Sequence, residues 1–353
     1  MREFHPYPAR FISEIPAQAL DLLDVRGPVV DPFCGSGTTL AEARRRGLPA
    51  VGVDLNPIAC LISRVRTDKW CAGDAERGLV HAHALRERAL GGGCTDDVAS
   101  EIPRLAYWFD EAAQAALAGA VGYLREVEPA WRDRIAAAIS SSIVRLSRQE
   151  SDTRYAAITK QTTIDAAAAE LGQALVRLCE WLAANTGGYA DTPVEVRCQD
   201  ARDLSSLPAN HFAAAIFSPP YPNAYEYWLY HKYRMYWLGF DPIAVRAAEL
   251  GARPHYCKRN GLTEDDFASQ MSDVFAGLAR CLKENAPVAV VIGDSTIRGR
   301  CVDNGALIER VAAEHHFQVE AQTIREIRAK RSSFNRAHSR GRASEHVLLF
   351  RRD

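Results

Sequence analysis

The stretch DPFCGSGTTLAEARRRGLPAVGVDL, residues 31–55, decides the fold class. A strand-like apolar run around Val29 and Val30 precedes it. A glycine-rich turn then leads into TTLAEARRRG, a helical pattern that ends at Gly47, the residue type favoured just past a helix. The run PAVGVDL, 49–55, predicts a second strand. We therefore expect a βαβ unit at this point of the chain.

Further strand-like runs follow, separated in several places by helical patterns. They are VEVRCQD (194–200), AAAIFS (213–218), PVAVVIGDS (287–295), FQVEAQTI (317–324) and HVLLF (346–350). In 264–283, behind Thr263 as a predicted N-cap, one helix face carries Phe267, Met271, Val274, Phe275, Leu278 and Leu282. Strands that alternate with helices predict an α/β fold with a doubly wound, mostly parallel sheet.

Residues 67–189 interrupt this alternation, because no convincing strand occurs in them. Isoleucines spaced by four (Ile135, Ile139, Ile143) and leucines at helical offsets (Leu171, Leu175, Leu178, Leu182) each trace one helix face. We predict a large helical insertion at 67–189 that divides a core of 1–66 and 190–353. The polar, arginine-bearing SRQESDTRY, 147–155, is predicted to be a loop.

Composition excludes several classes of protein. The 353 residues are 47% hydrophobic and 25% charged, which favours a globular protein over a disordered one. The net charge of −1 excludes a uniformly basic nucleic-acid coat, so a polyanionic partner would have to meet a local basic patch. No targeting pattern or membrane-spanning run is evident, and the expected location is the cytoplasm.

Nine cysteines are present, but none of them forms a metal-ligand pattern. They lack CxxC spacing and paired histidines, so we expect free, mostly buried thiols and no metal site. No Pro-Cys dipeptide occurs in the chain.

The first predicted site lies in the opening βαβ unit. Gly35 and Gly37 would let the backbone approach a ligand closely, and free N–H groups at the following helix start favour a carboxylate. Asp54 ends the second run, where an acidic side chain can accept hydrogen bonds from ribose hydroxyls. An ordinary nucleotide-binding Rossmann site is the competing interpretation, but it requires a third glycine where Leu40 stands.

The second predicted site is FSPPY, 217–221, directly after a strand-like run. Pro219 and Pro220 cannot continue a helix or a central strand, so they predict a rigid turn at the carboxyl edge of the sheet, where such sheets bind substrates. Ser218 and the Pro219 carbonyl could accept hydrogen bonds from a flat amine, and Tyr221 could stack on its ring. A structural turn alone would explain only the two prolines.

These motifs resemble the S-adenosylmethionine-dependent DNA amino-methyltransferases of the SPPY type, which methylate cytosine N4 or adenine N6. The resemblance covers HPYPARF (5–11), DPFCGSGTT (31–39), GVDLNP (52–57), CQDARDL (198–204) and SPPYPNAYEYWLYH (218–231). It implies a seven-stranded, Rossmann-like methyltransferase sheet whose last hairpin is antiparallel, with FQVEAQTI and HVLLF as that hairpin.

The resemblance also implies roles for individual residues. Ser218, Pro219, Pro220 and Tyr221 would be catalytic. The S-adenosyl-L-methionine site would comprise His5, Phe11, Asp31, Phe33, Gly35, Gly37, Thr38, Asp54, Asn56 and Asp200. Asp54 would bind the ribose, Asp200 the adenine amine, and the motif at His5 to Phe11 would close over the methionine end. Alternatively, His5 and Phe11 simply pack the N-terminus.

The expected reaction is methyl transfer to the N4 amine of a flipped cytosine in a specific DNA site, because the family tends to pair serine at the first motif position with cytosine. Ring-carbon methylation is disfavoured, since it needs a thiolate that its own family presents in Pro-Cys. The alternatives are an N6-adenine DNA methyltransferase, an RNA base amino-methyltransferase, and a non-catalytic module that binds cofactor and nucleic acid.

The candidates for DNA contact include the helical insertion 67–189, as a possible DNA-recognition subdomain, and its arginine-bearing loop 147–155. Two further segments are candidates as well. The stretch 221–240 holds nine aromatic residues, which predict either a pocket wall with a DNA-facing helix or a core helix. The stretch 325–342 is strongly basic, and its candidates for phosphate contact are Arg328, Lys330, Arg331, Arg336, Arg340 and Arg342. Double-stranded DNA is the expected partner, with companion restriction or defence proteins as further candidates.

Overall fold

A computed structural model describes residues 3–95, 99–152, 154–222, 225–327 and 343–353. In chain order the elements are α1 (Glu14–Leu22), β1 (Val29–Asp31), α2 (Thr38–Arg45), β2 (Ala50–Asp54), α3 (Pro57–Arg66), α4 (Asp74–Gly91), α5 (Leu105–Trp108), α6 (Glu111–Tyr123), α7 (Pro129–Leu146), β3 (Gln149–Ser151), β4 (Arg154–Ala157), α8 (Ile164–Thr186), β5 (Val194–Cys198), β6 (Ala214–Phe217), α9 (Tyr227–Trp237), α10 (Pro242–Ala248), α11 (Arg253–Tyr256), α12 (Glu264–Cys281), β7 (Pro287–Gly293), β8 (Ser295–Ile297), β9 (Arg300–Val302), α13 (Asn304–Glu314), β10 (Phe317–Ile327) and β11 (Ala343–Arg352).

The chain forms two compact units. The first, which we call the helical unit, comprises 1–8, 64–189 and 228–244. The second, the sheet unit, comprises 9–63, 190–227 and 245–353. The boundaries expected from the sequence lay at 66 and 190. In the structure, 1–8 and 228–244 also belong to the helical unit.

The sheet unit contains a seven-stranded sheet in the order β10-β11-β7-β6-β1-β2-β5. The five strands from β7 to β5 are parallel, whereas β11 is antiparallel to both β7 and β10. This confirms the predicted fold class, a doubly wound, mostly parallel seven-stranded sheet with an antiparallel last hairpin. From β1 the chain builds outward to β2 and β5 on one side, and later to β6 and β7 on the other. The carboxyl ends of β1 and its neighbours therefore border the switch point, where such sheets bind ligands.

The central strands are buried along their whole length, as expected for parallel strands covered on both faces. Every residue of β1, β6 and β7 is buried. The helix α12 supplies one cover, and the six residues predicted for its apolar face are all fully buried. Thr263 is its N-cap, as predicted, and forms a reciprocal capping box with Asp266.

The helical unit departs from prediction in one place. Segment 147–155 was expected to be a loop, and the insertion to lack strands. Instead β3 and β4 form a short antiparallel hairpin there, pairing Gln149 with Ala157 and Ser151 with Arg154. The strands are too short and polar to produce a recognisable alternation, so only backbone pairing reveals them.

Two further findings concern the chain as a whole. All nine cysteines are free, as predicted, but the expectation that most are buried is wrong, because five are exposed: Cys71, Cys94, Cys198, Cys257 and Cys301. Among the described residues, no helix is both long enough and apolar enough to cross a membrane.

The capping box of α12 yields a stability prediction. We expect Thr263→Ala to lower the free energy of unfolding by about 1 kcal/mol, because it leaves the Asp266 amide without its side-chain acceptor. Urea denaturation would measure the change. Ser269→Ala, an exposed substitution within the same helix, serves as the control and should leave stability nearly unchanged. Equal losses in both variants would contradict the assigned cap.

Candidate functional site

The first predicted site lies at the carboxyl end of β1, where the turn to α2 is organised by Asp31. This side chain is only 2% exposed, and its Oδ1 accepts the Phe33 N–H at 2.9 Å. Burial raises the pKa of the Asp31 carboxyl to about 7, and hydrogen bonds from Thr39 and Phe33 oppose that shift. Asp31 therefore exchanges its proton near neutral pH.

Asp54 joins the ends of β1 and β2. Its Oδ2 accepts the Gly35 N–H at 2.9 Å, and its Oδ1 accepts the Asn56 N–H at 2.8 Å. Burial raises the pKa of this carboxyl to about 6, while the two amides oppose the shift. A carboxylate has about four lone-pair positions, so two remain for a ligand. Sequence reasoning predicted that Asp54 binds a ligand but did not predict that its carboxylate also joins the two turns.

Apart from the predicted approach of a ligand, the glycine pattern has a packing reason. Gly37 has φ +80°, and a Cβ built there would lie 2.4 Å from Ser63 Oγ and 2.9 Å from Ser63 Cα. Only glycine fits where this turn meets α3. The pattern was predicted to permit close approach of a ligand, and the structure adds that Gly37 permits close approach of a helix.

Two buried polar atoms beside this turn have no hydrogen-bond partner among the described residues. They are Thr38 Oγ1 and Asn56 Nδ2, in side chains that are 7% and 4% exposed. Unpaired buried donors are costly and are usually satisfied by water or a ligand. Together with the free amides at the start of α2, they suit the polar end of a ligand with acceptor oxygens.

Asp200 lies two residues past β5, at the same edge of the sheet. Arg202 binds its carboxylate, with Nε 3.0 Å from Oδ1, and the Arg202 N–H donates to the same oxygen at 2.9 Å. The Arg202 guanidinium also donates to the Ala248 carbonyl at 3.2 Å. Sequence reasoning missed this pairing. It means that Asp200 would meet a ligand as one member of an ion pair.

The second predicted site begins directly after β6, so Ser218 follows the last residue of a central strand. Phe33 and Phe217, one from each motif, have ring centroids 5.9 Å apart, which places the two motifs side by side in the sheet unit. The prolines are trans, because none of the described peptide bonds is cis. The structure thus brings the two predicted sites to one edge of one sheet.

Tyr221 is held at both its backbone and its ring. A Cβ at Gly251 would lie 2.7 Å from the Tyr221 carbonyl oxygen, and one at Gly293 would lie 2.9 Å from Tyr221 Cε2. The phenol donates to Glu345 Oε1 at 3.4 Å. Burial and the neighbouring Glu345 raise the pKa of Tyr221, so the phenol keeps its proton. The sequence did not predict these contacts of the two glycines and Glu345, because all three residues are distant from Tyr221 in the chain.

The aromatic segment divides between the two units. Tyr227 belongs to the sheet unit, where its N–H donates to Glu249 Oε1 at 2.9 Å. Burial raises the pKa of its phenol, and nearby Tyr221 and Asp54 raise it further. In the helical unit, most of the rest of α9 is buried, namely Trp228, His231, Tyr233, Arg234, Met235 and Trp237. This burial supports the core interpretation for α9 over a DNA-facing helix.

The N-terminal motif also divides. His5 lies buried in the helical unit, with Nε2 2.9 Å from Ser140 Oγ, and burial lowers the pKa of its ring. Phe11 belongs to the sheet unit and packs against its apolar cluster. The basic segment with Arg328, Lys330, Arg331, Arg336, Arg340 and Arg342 lies outside the described residues.

No protein-family model matches the chain. A 67-residue segment is 37% identical to the Type II methyltransferase M.MjaII of Methanocaldococcus jannaschii, covering 19% of this chain and 13% of that protein. A 116-residue segment is 28% identical to the Type II methyltransferase M.MvaI of Kocuria varians, covering 31% and 26%. The matched segments therefore span 13% and 26% of the length of these curated relatives.

A comparison with solved structures finds partial likenesses to TrmN from Thermus thermophilus and to a geranyl diphosphate methyltransferase. TrmN is 12% identical with TM-score 0.38, over 96% of this chain and 49% of that one. The geranyl diphosphate enzyme is also 12% identical, with TM-score 0.39, over 97% and 79%.

The buried carboxyl of Asp31 predicts an unusual pH dependence of stability. Between pH 3.8 and about 7, the folded protein keeps the Asp31 proton that the unfolded chain releases. Its contribution therefore makes the free energy of unfolding fall as pH rises through that window. At about 1.4 kcal/mol per pH unit, the loss reaches up to about 4 kcal/mol.

Asp31→Asn stays neutral at every pH, so we expect it to gain stability relative to wild type between pH 4 and 7. Urea denaturation across this range would measure the difference. Asp191→Asn, at an exposed carboxyl, is the matched control and should track the wild-type curve. Parallel curves for Asp31→Asn and wild type would refute the raised pKa.

Proposed function

We propose that the chain is an S-adenosyl-L-methionine-dependent methyltransferase that methylates the N4 amine of cytosine in DNA. The observation that carries the proposal is the placement of both motifs at one edge of one sheet. Asp31 and Asp54 end β1 and β2, and Ser218 follows β6, the other neighbour of β1. The partial matches to two Type II methyltransferases support the assignment to methyltransferases.

The cofactor would be held at the turn between β1 and α2. Its carboxylate would accept from Thr38 and the start of α2, where an unpaired buried hydroxyl and free amides lie. Asp54 would accept the ribose hydroxyls with the lone pairs left over from Gly35 and Asn56. When bound, S-adenosylmethionine supplies a methyl group on a positively charged sulfur.

The protein's task is to make the target amine a better nucleophile. An exocyclic amine reacts poorly, because its lone pair is delocalised into the base ring. Ser218 Oγ and the Pro219 carbonyl would accept the amine hydrogens and so localise the lone pair on nitrogen. Since the carbonyl lies in a turn fixed by two prolines, this acceptor is oriented before the base arrives.

Tyr221 would hold the base by stacking. A base inside a duplex is out of reach, so the target would be flipped into the site and would need an aromatic face there. The two glycine contacts and the Glu345 hydrogen bond fix that ring in advance. Cytosine is favoured by Ser218 at the first motif position. DNA is the proposed substrate because the SPPY motif resembles that of DNA amino-methyltransferases.

The direct test is to express the protein in cells and sequence their DNA by a method that distinguishes modified bases. We expect N4-methylcytosine at one recurrent sequence. With purified protein, Ser218→Ala should lower methyl transfer by at least a hundredfold and leave the calorimetric cofactor affinity within twofold, since Ser218 acts on the base. Ser205→Ala, at an exposed serine in the same unit, is the control. N6-methyladenine or unmodified DNA would refute the cytosine assignment.

The basic segment at 325–342 remains a predicted phosphate-binding surface. Replacing Lys330 and Arg331 together by glutamine should lower the slope of log affinity against log salt by up to ~2, since each phosphate contact contributes about 0.9. Affinity should fall equally on cognate and unrelated duplexes, because phosphate contacts carry no sequence information. The pair Arg26 and Arg310 gives a charge-matched control. An unaltered slope would exclude this segment from the DNA surface.

A further inference from the structure

Glu345 lies on β11, the strand inserted antiparallel between β7 and β10. Its register partners are Gly293, the last residue of β7, and Arg325 on β10. The antiparallel pairing thus places the beginning of β11 at the carboxyl edge of the parallel strands. As a result, the Glu345 carboxylate, near the end of the sequence, lies beside the turn that follows β6.

The Glu345 carboxylate is directed at Tyr221. Its Oε1 accepts the phenol hydrogen at 3.4 Å. The Ser218 side chain and the Gly293 amide also lie within hydrogen-bond reach of the same phenol. The Tyr221 hydroxyl therefore connects the proposed catalytic serine to a carboxylate on a different strand.

Surrounding contacts hold this arrangement in place. The buried Asn304 side chain donates to the Gly293 carbonyl at 2.8 Å, which anchors the end of β7 to α13. His346, next to Glu345, is paired with Asp294 at 2.9 Å. Both partners of the Tyr221 phenol, Gly293 and Glu345, are thereby fixed by neighbours that do not touch Tyr221.

The neighbours of Glu345 favour its charged, hydrogen-bond-accepting form, whereas its burial opposes that form. Burial raises the pKa of its carboxyl, and Arg325 on β10 together with the Tyr221 hydrogen bond opposes that shift. Asp294, on the other side, is occupied by His346 and Ser344. Glu345 is therefore a half-buried carboxylate whose contact towards the site is the Tyr221 phenol.

We propose that Glu345 is a positioning residue of the methyltransferase site, which holds the Tyr221 phenol so that the ring presents its face to the target base and its hydroxyl stays beside Ser218. This inference rests on the function proposed above. Glu345 acts through Tyr221 and need not touch the base. Losing it should therefore affect turnover rather than cofactor binding.

A double-mutant cycle tests the connection. We expect Glu345→Gln to lower kcat about tenfold, because an amide is a weaker acceptor than a carboxylate, while the KM for S-adenosylmethionine stays within twofold. Tyr221→Phe keeps the ring and removes the hydroxyl, so it should lower kcat similarly. The double variant should be no worse than Tyr221→Phe alone. Glu195→Gln, at a carboxylate on the far edge strand β5, should match wild type.

A spectroscopic measurement makes the test independent of activity. In protein labelled with fluorotyrosine, the Tyr221 resonance is identified by its absence from Tyr221→Phe. We expect that resonance to shift in Glu345→Gln and to stay in place in Glu195→Gln. Multiplicative losses of kcat, or an unmoved resonance, would overturn the role of Glu345. An inactive wild type that still shows the shift would refute the proposed function and leave the contact established.

Discussion

The candidate site depends on one half-buried carboxylate, that of Asp54. Parallel strands end in loops with free backbone amides, and those amides need acceptors once they are buried. Asp54 accepts one amide from the loop after β1 and one from the loop after β2, so the two loops keep a fixed separation. The turn that carries Gly35 and Gly37 is thereby shaped before any ligand binds.

Elements that lie later in the sequence complete the same edge of the sheet. Two prolines make the turn after β6 rigid, but they do not orient the side chain that follows. Tyr221 is oriented by glycines at 251 and 293, whose lack of a side chain admits its carbonyl and its ring, and by Glu345 on β11. The antiparallel last hairpin is therefore part of the site as well as part of the sheet.

The helical unit explains why three aromatic residues of this segment, Trp228, Tyr233 and Trp237, are buried. Arg234 in α9 is fully buried, and its guanidinium donates to the Ser140 carbonyl at 3.1 Å and to the Asp152 carboxylate. Tyr233 stacks on Tyr155 of the β3–β4 hairpin, and their hydroxyls are 2.6 Å apart. The aromatic residues thus pack α9 onto the insertion. An amino-acid count in this segment could not separate such packing from a DNA-facing surface, because both uses favour the same residues.

Local patterns in the sequence were sufficient for the sheet and for the position of the two motifs. Glycine, proline and apolar runs act over a few residues, so they predicted the βαβ unit, the mostly parallel sheet and the capped helix α12. The seven strands and the antiparallel last hairpin followed instead from the resemblance to a known family. Only tertiary structure could show that Gly37 faces Ser63, that Arg202 binds Asp200, that His5 and Phe11 belong to different units, and that Glu345 reaches Tyr221. Most of these features involve residues that are far apart in the chain. All of them depend on how the residues are arranged in the folded protein, which no local pattern encodes.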